Sequence, residues 1–273
     1  MSKLTLHLSK RIIFCLVTIL VFSLWNGVVQ PAFSQNSQDQ EYKTEEAMIN
    51  EDLYPLISES DLYCSIFVLD KEYPDLKIIG SEMEYERDLL SDGDIIYINK
   101  GRQDGLEPGQ LFLIFEVGPN VKSYGHLAIK RGRARVIDLE EERASAMIEK
   151  SCGGVMKGNY LVPFEEKEGF IGKDLGYDIP AHKGEGLKGQ VIYLQTDFAQ
   201  IASNHWAIID IGEEDDIHLG EQLVLYREIQ KGAPLQIFGS LIVIDVQKKT
   251  STIKVLTCKD AVRIGDEVMA RTK

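Results

Sequence analysis

Little in this chain is of a kind that performs covalent chemistry. Four cysteines are spread over 273 residues with no CxxC or CxxH spacing, which argues against both a redox motif and a zinc site. No histidine falls in HExxH and no serine in GxSxG, so two common linear signatures of hydrolases are missing. Basic charge is scarce: 30 Lys+Arg stand against 43 Asp+Glu, a balance that repels nucleic acid and anionic lipid surfaces. Past residue 34 no apolar run is long enough to cross a bilayer as a helix. The chain is nonetheless 44% hydrophobic, which excludes disorder throughout and suffices for one sizeable core or two small ones.

What is present begins with an export signature. Lys3, Lys10 and Arg11 precede an apolar run from Ile12 to Val29, and Ala32-Phe33-Ser34 places small residues at the −3 and −1 positions of a cleavage site. Residues 1–34 read as a secretory signal peptide cut between Ser34 and Gln35, with an uncleaved anchor as the alternative. Either way the remainder is expected outside the cytoplasm, in the periplasm or extracellular, touching membrane only through this segment if it is retained. Cys15, in the context IIFC, is wrongly placed for a lipoprotein cleavage site. Removing residues 1–34 removes three basic and no acidic side chains, and leaves Cys64, Cys152 and Cys258. In an oxidising compartment one pair of these is able to bridge, and the spacing favours none of the three pairings.

Residues 35–60 are mostly polar and read as a flexible linker, with a helical turn expected within Ala47–Ile57 before Pro55. Short β-rich runs follow. Leu62–Leu69, Lys77–Ile79, Ile95–Ile98, Leu111–Phe115, Leu127–Asp138, Ala144–Glu149 and Leu161–Phe164 are expected strands, and Val117–Gly125 a loop. The connection Asn99–Gln110 carries Gly101, Asp104-Gly105 and Pro108-Gly109, a compact turn that Leu106 would plug into the core.

This unit recurs. Gly101, Asp104, Leu106, Gly109 and Phe112–Phe115 fall on Gly212, Asp215, Ile217, Gly220 and Leu223–Tyr226 at one constant offset. Gly132, Val136-Ile137-Asp138, Val155 and Gly158 fall on Gly239, Val243-Ile244-Asp245, Val262 and Gly265 at a slightly smaller one, as one shortened loop requires. Val191–Leu194 answers Ser65–Val68. The expected fold is therefore all-β: two tandem small, SH3-like β-barrels from an internal duplication, over residues 61–164 and 189–273. Residues 165–188, rich in glycine and charge, link them.

Candidate sites are sparse. Gly184, Gly186 and Gly189 match GxGxxG, but a strand pattern follows them where a dinucleotide fingerprint needs a helix. Asp210–Glu221 has the length of a calcium loop, yet Gly212 and Asp215 stand at positions requiring a ligand and a glycine; an acidic solvated turn is the plainer reading. His126, His182, His205 and His218 are scattered singly. Trp206, Phe112 and Tyr226 read as core or barrel-edge residues rather than ligand platforms. Arg131, Arg133 and Arg135 alternate with small and apolar residues, so they share one face of a strand. Either they dock a carboxylate-bearing partner or they pair across a hairpin with Glu141, Glu142 or Glu149. No catalytic, cofactor-binding or metal-binding residue is expected.

The series DGDIIYINKGRQDGLEPGQLFLIFE, GRARVID, ASAMIEK and MKGNYLVPF resembles the small β-barrel repeat of exported bacterial envelope proteins. It is similar to the C-terminal domain of the flagellar assembly protein T family and to repeats that follow a peptidoglycan-binding LysM module, although no LysM signature precedes it. The resemblance implies an envelope scaffold or interaction module without enzymatic activity, whose partner is an envelope protein or a cell-wall polymer. Two other classes stay open: a wall-modifying hydrolase with its site between the barrels, and weak calcium-dependent adhesion.

Overall fold

The computed structural model describes residues 53–69, 73–83, 85–177, 187–229 and 234–271. The expected signal peptide, its cleavage site at Ser34 and Gln35, and most of the first linker lie outside these residues. The described chain is mostly β-strand.

The second half forms a closed barrel. Its strands are β10 (Lys188–Leu194), β11 (Trp206–Ile209), β12 (Gln222–Arg227), β13 (Gln236–Val246), β14 (Ser251–Cys258) and β15 (Glu267–Ala270). They pair in the order β10-β11-β14-β13-β12-β15, and β15 returns to β10. Inward side chains of every strand, among them Val191, Ile209, Leu225, Leu241, Val243, Ile253 and Val268, fill one core. Closure leaves no free edge. β13 is buried along nearly its whole length rather than at alternate residues, so its outer face is covered as well.

The first half repeats that order. β3 (Ile78–Ser81), β4 (Ile95–Ile98), β5 (Leu111–Asn120), β6 (His126–Leu139), β7 (Ala144–Ser151) and β8 (Tyr160–Pro163) run β3-β4-β7-β6-β5-β8. The two ends of this path approach each other through a Lys77–Tyr160 bridge, with Ile78 N–H donating to Asn159 and Leu161 N–H to Leu76, both at 2.9 Å. A separate core of Ile96, Ile98, Phe112, Ile114, Val136, Ala146 and Ile148 lies inside. An additional strand, β2 (Ile66–Leu69), pairs with the start of β6.

The turns recur atom by atom. Arg102–Asp104 and Glu213–Asp215 are single 3-10 turns, closed by Asp104 and Asp215 accepting the amides of Gly101 and Gly212 at 3.1 and 3.0 Å. Each ends in a left-handed residue, Gly105 (φ 84°) or Asp216 (φ 63°), which asparagine-like side chains tolerate. Leu106 and Ile217 are both buried, as expected. A bulge recurs too. The register steps from Ile114–Gly132 to Phe115–Lys130 in one half, and from Leu225–Gly239 to Tyr226–Ile237 in the other. Arg131 and Phe238 are the residues skipped.

Several expectations are corrected. Tyr54–Ile57 is not a helical turn but strand β1, paired with β9 (Phe170–Gly172) from the second expected linker. Within Leu62–Leu69 the first residues close helix α1 (Glu59–Tyr63), and only Ile66–Leu69 is strand. The expected loop Val117–Gly125 is shorter, because β5 runs on to Asn120. Val191–Leu194 takes the place in its sheet that Ile78–Ser81 takes in the first, not Ser65–Val68. A four-residue apolar strand carries no turn residue that would fix its alignment with either segment.

Candidate functional site

The two halves meet along a segment that the sequence reading treated as linker and strand. Ser58 opens α1 by a capping box: its hydroxyl accepts the Asp61 amide at 3.3 Å, while Asp61 accepts the Ser58 amide at 2.8 Å. A five-residue helix is too short to be stable alone. Leu56, Ile57, Leu62 and Tyr63 therefore bury against Ile242, Ile244 and Leu256, the outer face of β13 and β14. At its end Cys64 is disulfide-bonded to Cys152, beyond β7 of the first half, with 5.3 Å between Cα atoms; Cys258 is free. The segment is thus stapled to the first half and packed on the second. Ile66, Val68 and Leu127 add a further apolar contact with Ile192, Tyr193 and Ile208.

Polar side chains converge in this junction. Lys130 on β6 and Asp245 on β13 are each only 4% exposed, and their charged ends lie 2.5 Å apart. The remaining Lys130 hydrogens reach the Leu62 carbonyl at 2.7 Å and the Ser65 hydroxyl at 3.1 Å. Asp245 also takes the Gln247 amide at 3.2 Å and faces Lys167 at 3.6 Å. Beside them, Asp61 accepts from the Trp206 indole at 2.9 Å and from Lys254 at 2.8 Å. Thr252 donates to the Ile66 carbonyl at 2.6 Å, and the Tyr63 hydroxyl to the Lys167 carbonyl at 2.9 Å.

Burial is the largest influence on the Asp245 carboxyl and acts to raise its pKa, but Lys130 and Lys167 together hold it below the usual carboxylate range. Asp61 is likewise held low against burial by Lys254, Ser58 and Trp206. Burial pulls Lys130 below the ordinary lysine value against the opposing pull of Asp245. With three acceptors around its ammonium, the pair is ionised. A cleft of about 410 Å³ opens over it, walled by Tyr63, Phe67, Leu113, Val162 and Phe164, with Lys167 and Gln247 at the rim. Each Lys130 hydrogen is already taken by an acceptor within the protein, one of them from the other half of the fold.

The expected docking arginines are internally paired. Arg131, at the bulge, meets Glu116; Arg133 meets Glu149 at 3.2 Å and Glu59 at 3.6 Å; Arg135 meets Glu149 and the Gly109 carbonyl. Glu149 is thus the hairpin partner that the sequence suggested, whereas Glu141 pairs with Arg102. Arg133 also lies over the rings of Tyr63 and Phe164, at 5.6 and 5.5 Å.

In the acidic turn, Asp210, Asp215 and Glu221 accept backbone amides of Gln190, Gly212 and His218. Among the described residues no cluster of histidine, cysteine or carboxylate is arranged for a metal. Gly184, Gly186 and His182 lie outside the described residues, and Gly189 sits in β10. His126 rests against Tyr73 and His205 against Phe198, and His218 is exposed. Phe112 and Tyr226 are buried as expected, while Trp206 is a half-buried junction residue. The junction itself was missed by sequence reading. Its one local signal was Ser58-x-x-Asp61 before an apolar pair. No protein-family model matches the chain, and no curated protein matches it in sequence.

Proposed function

We propose that this protein is an exported, non-enzymatic module of the bacterial cell envelope, built of two tandem SH3-like barrels from an internal duplication and fused into one rigid docking body. The observation that carries this reading is the saturation of the junction: Lys130 and Asp245 spend their hydrogen bonds on each other and on Leu62, Ser65 and Gln247. A catalytic acid, base or nucleophile needs a face free for substrate. The duplication is supported by the common strand order, the recurring 3-10 turns and the recurring bulge. Export is supported by the N-terminal apolar run and by the Cys64–Cys152 disulfide, a bond that persists in oxidising compartments. A body of this kind holds a partner, an envelope protein or a wall polymer, at a fixed spacing.

Two measurements on the secreted chain test the reading together. Crosslinked pull-down from the native envelope is expected to recover a reproducible partner, and incubation with purified wall polymer is expected to release no soluble fragments. Fragment release that disappears in Lys130→Met would overturn it in favour of a wall-modifying enzyme.

A further inference from the structure

The outer face of the first sheet carries a feature that the junction does not use. Tyr160, the first residue of β8, stands directly across from Phe115 on β5 and, through the bridge, from Lys77 on its other side. Its ring stacks on the fully buried Phe115 ring, with centroids 5.9 Å apart and planes 25° apart. Tyr73 stacks in turn on Tyr160 at 5.6 Å and 20°, and rests against the His126 ring at 5.5 Å. The series ends in the open: Tyr73 is 46% exposed. A large aromatic ring is thus held outside the core in a preset orientation, which lowers the ordering cost of anything that stacks on it.

Polar groups surround this ring. A cleft of about 500 Å³ is lined by Tyr73, Tyr160, Asp75, Lys77, Asn99 and Lys100. Asn99 accepts the Lys77 amide and donates to the Asp75 carbonyl, each at 2.8 Å, so the loop bearing the ring is tied to the end of β4. Lys100 lies 3.8 Å from an Asp75 carboxylate that is 88% exposed, a loose pair of small energetic worth. Among the described lining residues two lysines, Lys77 and Lys100, stand against the one carboxylate of Asp75, in a chain with a formal net charge of −13.

The geometry points to a saccharide site here, taking a carboxylate-bearing polysaccharide. This inference rests on the envelope reading above and names the polymer class. A pyranose presents a C–H face to an aromatic ring and hydroxyls around its rim, and here the exposed part of the Tyr73 ring is accompanied by Asn99, Asp75 and the two lysines as donors and acceptors. The lysines select for acidic sugars. A peptide added as a strand has no edge to join, because Lys77 and Tyr160 already pair with each other.

The test is calorimetric titration of the mature protein with oligogalacturonate, with maltooligosaccharide as the neutral sugar and single-stranded oligothymidylate as the stacking anion without sugar acids. Saturable binding of oligogalacturonate alone is expected. It should weaken at least about tenfold in Tyr73→Ala and in Lys100→Glu, and stay within about twofold in Tyr73→Phe. These side chains are solvent-facing, so an unchanged thermal melt verifies that each variant is folded. Binding that survives Tyr73→Ala, or tighter binding of the neutral sugar or of oligothymidylate, would overturn the assignment. If no sugar binds while the pull-down still yields a protein partner, the saccharide site fails and the envelope reading stands.

Discussion

The ammonium of Lys130 and the carboxylate of Asp245 belong to different halves of the fold, 115 residues apart in sequence, and meet at 2.5 Å with almost no access to water. Such a pair contributes little net stability as a whole, because both ions had to be dehydrated, but removing one partner strands the other. Lys130→Met and Asp245→Leu are each expected to cost about 3–5 kcal/mol. The double substitution Lys130→Met with Asp245→Leu should recover most of that loss. Urea denaturation of the three variants gives the coupling, and additive losses would show that the two charges do not interact.

The same carboxylates set the acid limit of stability. Asp245 and Asp61 both titrate below their ordinary value of 3.8 in the folded protein. Between the two values the unfolded chain binds the proton more tightly, so stability rises with pH there. The contribution is complete above about 3.8 and is lost as pH falls through the lower folded values. Thermal melts are expected to drop steeply with acidification in that window. Asp61→Asn should melt below wild type at neutral pH, and the gap should narrow in acid as the wild-type carboxylate is neutralised. A gap independent of pH would mean that Asp61 acts through shape alone.

The disulfide closes a loop of 88 residues and anchors the helix that bridges the halves. Replacing Cys64 and Cys152 with serine is expected to cost about 2–5 kcal/mol, whereas Cys258→Ser, half-buried and unbridged, should cost under about 1 kcal/mol. Thiol titration of the mature protein in denaturant without reductant should find Cys258 reactive and Cys64 and Cys152 protected. Labelling of Cys64 or Cys152 would contradict the bond.

What was legible in the chain was its backbone chemistry. Gly105 and Gly109 take left-handed dihedral angles that few other residues adopt, Gly101 admits a close backbone approach and Asp104 closes the turn, and the recurrence of this series at Gly212, Asp215, Asp216 and Gly220 announced two similar units before any contact was known. The junction was illegible for the converse reason. β1 and α1 are four and five residues long and are held by partners distant in sequence: Lys254, Trp206 and Cys152. No local propensity of Leu62 or Tyr63 encodes those partners. Lys130 read as one more basic residue in a basic strand. Only the bulge at Arg131 turns its neighbour into the register that faces Asp245. A glycine within an otherwise regular strand, Gly132, was the available hint of that bulge.

That glycine yields a graded prediction. A Cβ on Gly132, which has φ 142°, would lie 2.1 Å from the Lys150 carbonyl oxygen, and one on Gly239 would lie 2.8 Å from that of Thr257. Both obstacles are backbone of the neighbouring strand, so the strands themselves must separate to admit a methyl group. Gly105, also at positive φ, has nothing within 4 Å of a Cβ, and Asp216 already occupies its counterpart in the second half. Gly105→Asp is therefore expected to cost about 1 kcal/mol or less. Gly239→Ala should cost more, and Gly132→Ala the most, at several kcal/mol. Because Gly132 adjoins the bulge that aims Lys130 across the junction, its loss should also reduce the coupling between Lys130 and Asp245. Denaturation of the three variants, with the coupling measured again in the Gly132→Ala background, tests the order. Equal costs at Gly105 and Gly132 would remove the bulge from the account of how the two halves are joined.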